Sequence, residues 1–448
     1  MRLALLCVIM VVFIARPVST EPAAGEKVVS KAPALETGKP LTMDDCVLIA
    51  LRQNPQITSS QQGIISAEAG LTRARSSYYP QVSLDISEGF VSEKSASSDG
   101  GAFTFAPADS LQQLNLGLGL TFWQRGRQQS VAQRRASLKS AEQSLASTAQ
   151  SLTDQVARQY LNVLAAQELV GVAEAGVGSA QAHLEQVKAR AALGATAEVD
   201  VFPTEDDLAR AQLDLIDARS NVRLAFAQLK NAMAVPQETK FDLAPSPAPS
   251  KGAIPGFQEA MRTALERRPE VAGSRHDVVA SRYALTQARI RRGPLLDVAG
   301  QYGQPYTDWN AREGTWSLLL GLSWPLLDGR ATRSDVTAAR ASLTRTQADL
   351  QRQVNQVGLE VEGALVEVER SHERLDATAK SVAAADARLR AAEGKYRQGV
   401  GILLEVIDAR VAVTTASANQ VRARYDYQVA LISLQKATGT LPVPRMRG

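Results

Sequence analysis

The sequence predicts an α plus transmembrane β protein, in which long coiled-coil helices and four antiparallel membrane strands are written as two tandem copies. Three observations carry this. A weak internal repeat covers most of the 448 residues. Two long proline-free stretches hold apolar residues at heptad spacing. Each copy also contains paired segments that alternate apolar with small or polar residues for about ten positions, the length a tilted membrane strand needs. A hydrophobic share of 45% with only 5% aromatic residues favours extended helices over a compact enzyme core. The formal charge of +4 is small and spread along the chain. With no concentrated basic face, no nucleic-acid partner is expected.

The first element is a leader. MRLALLCVIMVVFIARPVST begins with Arg2, runs apolar over residues 3–14 and breaks at Pro, Ser and Thr. That run is too short to cross a bilayer, so residues 1–24 are predicted to be a secretory signal peptide, cut between Ser19 and Gly25. Residues 25–40 are expected to be disordered. Once Cys7 is removed, Cys46 remains alone and cannot form an internal disulfide. Its periodic setting predicts a buried helical position.

The repeat then begins. ALRQNP at residues 50–55 and ALERRP at 264–269 lie 214 positions apart, and the same offset carries Pro80 onto Pro294. Further on, LGLTFWQRGR (118–127) matches LGLSWPLLDGR (320–330). RASL recurs from Arg135 to Arg340 at an offset of 205, which also relates Gly194 to Gly399 and Leu229 to Leu434. The two copies span 41–235 and 255–440. A Pro- and Ser-rich linker at 236–254 reads as surface chain, and 441–448 form a tail.

Within each copy, a helix runs to a proline break at Tyr78-Tyr79-Pro80 or Gly293-Pro294. Strands follow at about 80–91 and 112–123, and at 295–304 and 315–325. Leu114, Leu116, Leu118, Leu120 and Phe122 share one face, opposite Gln113, Asn115, Gly117, Gly119 and Thr121. Val82, Leu84 and Ile86 alternate with Ser83, Asp85 and Ser87. Trp316, Leu318, Leu320, Leu322 and Trp324 alternate with Thr315, Ser317, Gly321 and Ser323, interrupted by Leu319. The apolar sets are expected to face lipid, with Tyr78, Tyr79, Trp123 and the other end aromatics at the interfaces.

Long helices are predicted over 126–193 and 330–398. Val131, Leu138, Leu145 and Leu152, then Val156, Val163, Val170, Val177 and Leu184, fall at sevens. Val336, Leu343, Leu350 and Val357, then Val361, Val368, Leu375, Val382, Leu389 and Tyr396, repeat them. Such heptads specify coiled-coil packing, and each rod is about 100 Å long. Gly194 and Gly399 suit the helix ends. Return helices are expected over 198–233 and 402–438, with Pro203 tolerable only in the first turn.

Four strands in lipid leave two edges of unpaired backbone groups, so the sheet must close into a barrel with other copies. Two chains give eight strands, which side chains fill. Three give twelve and leave a channel, so a homotrimer with one shared pore is expected.

KYRQGVGILLEVIDAR, residues 395–410, and the duplicated strand-to-helix junction resemble the TolC-like outer-membrane efflux protein family. RAALGATAEVDVF from Arg190 is a weaker version that lacks the tyrosine. The resemblance implies a trimeric duct with a 12-stranded β-barrel in the outer membrane and a 12-helix α-barrel in the periplasm. It implies partners as well: a periplasmic adaptor docked at the helix-hairpin tips, an inner-membrane pump or ABC transporter, and outer-membrane lipid. The tips fall on Leu193, Gly194, Ala195 and Thr196, and on Gly399, Val400 and Gly401. Family members narrow the tunnel with acidic side chains, and the matched positions read Arg390 and Glu393. These form either an Arg–Glu network closing the resting tip or two solvated helix charges.

Catalysis finds no support. His183 and His372 sit in the rods without a second ligand, and solvated or tunnel-facing positions are expected for them. Gly117-x-Gly119 lacks the βαβ setting of a dinucleotide fingerprint. Asp206-Asp207 opens a helix, where it complements the dipole. No nucleophile has a base in reach, so no enzyme, metal or cofactor is expected. A dedicated protein or polysaccharide secretion duct would share this pattern, whereas a soluble coiled-coil scaffold would not need the strands.

Overall fold

The computed structural model of the chain describes residues 40–91, 109–194, 197–246, 254–305 and 314–444. The predicted signal peptide, nearly all of the predicted disordered segment, and the tip residues Ala195 and Thr196 lie outside the described residues. Helices α1 (Met43–Gln53) and α2 (Pro55–Ser76) lead to strands β1 (Gln81–Val91) and β2 (Asp109–Gln124). The long α3 (Arg127–Ala192) follows, and α4 (Val201–Met233) returns after a single 3₁₀ turn at Glu198–Asp200. The second copy runs α5 (Phe257–Arg267), α6 (Pro269–Ile290), β3 (Leu295–Pro305), β4 (Thr315–Ser323), α7 (Ala331–Arg397) and α8 (Leu403–Ala437). Pro203 falls in the first turn of α4, where its missing N–H costs nothing.

The ALRQNP and ALERRP echo is a helix–helix corner. Each proline follows the end of one short helix and opens the next at its first position. The residue before it caps both helices in extended conformation, as a pre-proline residue prefers. In the first copy this is Asn54, whose Oδ1 accepts from Gln56 N–H at 2.9 Å while Nδ2 donates to the Ala232 carbonyl at 3.1 Å. In the second copy it is Arg268, 5% exposed, which pairs with Glu270 at 3.3 Å and with Glu360.

The strands form one antiparallel sheet in the order β1-β2-β3-β4. Among the described residues, β1 and β4 have no further partner and are open edges. The heptad residues of α3 and α7 are buried or half-buried throughout the rods. Two cores flank the rods' middle. In one, Val47, Ala50 and Ile57 meet Leu152, Val156, Val163 and Leu229. In the other, Ala264 and Val271 meet Val357, Val361, Val368 and Leu434. These sets occupy matching repeat positions, so each copy builds the same core. Cys46, 0% exposed, stands where the second copy has Ala260, and burial raises its thiol to about 12. It packs as a small apolar residue.

Part of the predicted surface linker is structural instead. Leu41 N–H donates to the Asp242 carbonyl and Ala244 N–H to the Leu41 carbonyl, each at 2.8 Å, in a one-residue parallel bridge. The Tyr160 hydroxyl reaches the Leu41 and Ala244 carbonyls, and Phe241 and Leu243 pack on the first core. These alternating apolar residues anchor the chain where the Pro/Ser composition suggests free loop.

Candidate functional site

Two surfaces stand out, one on the sheet and one at the rod ends. On the sheet, register places Leu84, Leu116, Tyr302 and Trp316 in one row. Val82, Leu118, Gly300 and Leu318 form another, and Leu120, Val298 and Leu320 a third. This face is continuous and apolar. Its edge-strand members Val82, Leu84, Ile86, Leu318, Leu320 and Leu322 are exposed, whereas Leu114, Leu116, Leu118 and Leu120 are half-covered by their neighbours. The opposite face carries Ser83, Gly117, Gln301 and Ser317 in one row and Asp85, Asn115, Gly303 and Thr315 in the next. Apolar on one side and polar on the other is the pattern of a strand between lipid and water. No helix among the described residues is long and apolar enough to cross a membrane.

Two predicted lipid-facing residues are placed differently. A bulge between Thr121 and Trp123 leaves Phe122 without a ladder partner, and Trp123 takes the apolar register opposite Leu296. Trp324 lies one residue beyond β4; both Phe122 and Trp324 are exposed. The contribution of β3 to this face was not read from sequence, because Gly300 interrupts its alternation.

At the rod ends, α3 closes on Leu193 and Gly194, and α7 on Gln398 and Gly399. Both glycines have positive φ, 69° and 76°, which L side chains rarely adopt. At the second tip Gly399 N–H donates to the Tyr396 carbonyl at 3.1 Å and Val400 N–H to the Lys395 carbonyl at 3.0 Å, a complete Schellman cap. Leu193 is 84% exposed and Val400 76% exposed, and Ile402 and Leu404 are exposed beside them.

Behind the tips the hairpins pack on one another. Val187, Ala392, Tyr396, Leu403, Val406 and Ala409 form a third core. Next to it lies a cleft of about 200 Å³, lined by Ser179, Ala182, His183, Gln186, Glu393, Tyr396, Arg397 and Val406. Arg410 of α8 is buried behind it. Its Nη1 reaches Asp207 Oδ2 at 3.2 Å, and its Nε and Nη2 reach Ser179 Oγ at 3.1 and 3.0 Å. The two side chains of this ion pair are only 7% and 11% exposed. Burial pushes the Arg410 guanidinium below its usual range, opposed by Asp207 and Glu393. Burial likewise pushes the Asp207 carboxyl up, opposed by Arg410. Desolvation therefore outweighs attraction on both sides of the pair.

His183 corrects an expectation. Rather than facing solvent or a tunnel, it is 7% exposed, because its side of α3 is covered by the second hairpin. Its Nε2 has no hydrogen-bond partner, and its ring lies 6.0 Å from that of Tyr396. Asp207 is likewise more than a dipole partner; Asp206 alone keeps a local role, paired with Arg210 at 2.7 Å. Of the candidate gate residues, Arg390 is exposed and Glu393 half-buried, and no hydrogen bond or ion pair joins them. Glu393 instead lines the cleft and acts on Arg410. Arg410 ended the quoted tip motif, but nothing in its spacing marked it as buried.

The profile of the outer membrane efflux proteins matches residues 48–235 and 260–440. Protein CyaE of Bordetella pertussis is 24% identical over 298 residues, 65% of this chain and 62% of that protein. The cobalt-zinc-cadmium resistance protein CzcC of Cupriavidus metallidurans is 25% identical over 271 residues, 59% of each. The chain thus spans less than two thirds of the length of these curated relatives. The fold is similar to the CmeC outer membrane channel of Campylobacter jejuni, with a TM-score of 0.77 at 17% identity over 89% of this chain and 86% of that one. Because the family profile covers both repeats, from the first core through the sheet and tips to the last helix, the chain belongs to the outer membrane efflux protein family.

Proposed function

We propose that the protein is the exit duct of a tripartite efflux or type I secretion system, carrying cargo from an inner-membrane pump across periplasm and outer membrane. Family membership assigns it to the outer membrane and to transport ducts, not to enzymes. The observation that carries the finer reading is the sheet: one exposed apolar face, one polar face and two open edges. Left alone in lipid, each unpaired backbone group on β1 and β4 costs several kcal/mol, on the order of 2–7. A homotrimer removes that cost by joining β4 of one copy to β1 of the next. Twelve strands then enclose a water-filled lumen lined by the Ser83 and Asp85 face, and the rods continue it as a 12-helix tunnel about 100 Å long.

In this reading the exposed apolar tips, Leu193 with Gly194 and Gly399 to Gly401, receive a periplasmic adaptor coupled to the pump or ABC transporter. Ala195 and Thr196 belong to the same tip. Arg390 and Glu393 lie on α7 about two turns and one turn before its end, where they narrow the resting tunnel. The test has two arms. Outer-membrane fractions should contain an oligomer of three chains that dissociates on heating in detergent; a purely periplasmic monomer would sink the duct. A Val400→Cys variant carrying a photocrosslinker should capture one periplasmic adaptor during transport. Capture of none, with the oligomer intact, would remove the tip assignment alone.

A further inference from the structure

We propose that His183 makes closure of the tip sensitive to acid: a proton on its ring places a second buried cation beside Arg410 and loosens α3 from α7 and α8. This rests on the reading that the hairpin ends part to open the duct.

The geometry supplies the mechanism. His183 sits one turn beyond Ser179 on α3, and Ser179 Oγ holds two nitrogens of Arg410. Arg410 and His183 therefore share one buried face between the hairpins. From α7, Glu393, Tyr396 and Arg397 line the same cleft; from α4, Asp207 pairs with Arg410. Asp207 and Glu393 both act on Arg410, so a new charge on His183 meets the Arg410 field. Nε2 is the free position at which a proton would arrive, and no acceptor there would hold it.

In the packed tip the ring is held neutral, its pKa lowered from 6.5 to about 4 by burial first and by Arg410 second. Once the hairpins separate, the ring meets water and returns to its ordinary value near 6.5. Above about 6.5 both forms are neutral and pH has no effect. Below it the parted form takes a proton that the packed form refuses, so the packed form loses about tenfold in relative population per pH unit, until about 4. Acid also acts on Asp207, whose carboxyl burial pushes up. The packed form takes that proton more readily than the parted form, so Asp207 offsets part of the His183 trend at the acid end.

The experiment is single-channel conductance of the purified protein in planar bilayers between neutral pH and about pH 5, with four variants. Wild type should open more often as pH falls below about 6.5, approaching tenfold per unit. His183→Gln and His183→Phe, which carry no titrating ring, should stay flat over that range. His276→Gln combined with His372→Gln should titrate like wild type. Either His183 variant following the wild-type profile overturns the proposal, as does a flat wild type. Asp207→Ala separates this from the underlying reading. It strips Arg410 of its charged partner and should raise opening at neutral pH. If Asp207→Ala opens the duct and acid does not, only the role of His183 falls; if Asp207→Ala has no effect, the openable tip falls with it.

Discussion

At equivalent positions of the two repeats, Asn54 and Arg268 cap the same corner by different chemistry. Asn54 makes two neutral hydrogen bonds, so Asn54→Ala should cost about 1 kcal/mol, the usual loss of a helix cap. Arg268 is a nearly buried cation between Glu270 and Glu360. Removing it strands two carboxylates, and Arg268→Ala should cost about 3 kcal/mol or more. Denaturant unfolding of the two variants in detergent checks the ranking, and equal losses would refute it. A pH dependence follows. Burial alone would raise the Glu270 carboxyl, but its own backbone N–H, Arg268 and Ser147 together hold it below its usual value of 4.5. The stability it contributes is therefore present above about 4.5 and fades as pH falls further. Arg268→Ala should flatten that acid limb.

For helices and strands, the tip caps are the most exposed piece of local design. Gly399 at φ 76° ends α7, and a β-branched residue there meets the left-handed penalty of roughly 1–2 kcal/mol. Gly399→Val should speed amide exchange in the last turn of α7 while leaving the Val357–Val368 core protected. Uniform protection would show the cap to be dispensable. The sheet and the rods were legible because their periods, two and seven, survive in single segments such as residues 114–122. Limits appear where period breaks. Gly300 hid the apolar face of β3, and the bulge at Phe122 shifts Trp123 into register without any sequence mark. The bridge from Leu41 to Leu243 joins residues about 200 positions apart, and composition named only a linker. The tip cleft was least legible. Ser179, His183, Asp207, Glu393 and Arg410 come from four helices in both repeats, and only the packing of two hairpins brings them together.

For the whole molecule, the α3–α8 seam ties the repeats together from waist to tip. Asp154 binds Lys436 at 3.2 Å, Arg158 donates to Ser433 at 2.8 Å, Glu168 pairs with Arg424, and Arg410 reaches Ser179 of α3 and, beside it, Asp207 of α4. The chain is thereby one wedge, with its sheet at one end and its tips at the other. Assembly then depends on what the sheet meets. Leu318 and Ser317 are adjacent exposed residues of β4 on opposite faces. If the apolar face meets lipid, Leu318→Arg buries a charge in hydrocarbon at a cost of about 2–4 kcal/mol near the bilayer midplane, whereas Ser317→Arg points into water. The first variant should lose the heat-dissociable oligomer from outer-membrane fractions. The second should keep it and shift ion selectivity towards anions, because three added cations would line the lumen. Equal tolerance of the two substitutions, read on the same gel, would mean that the sheet does not stand between lipid and water, and with it the barrel would go.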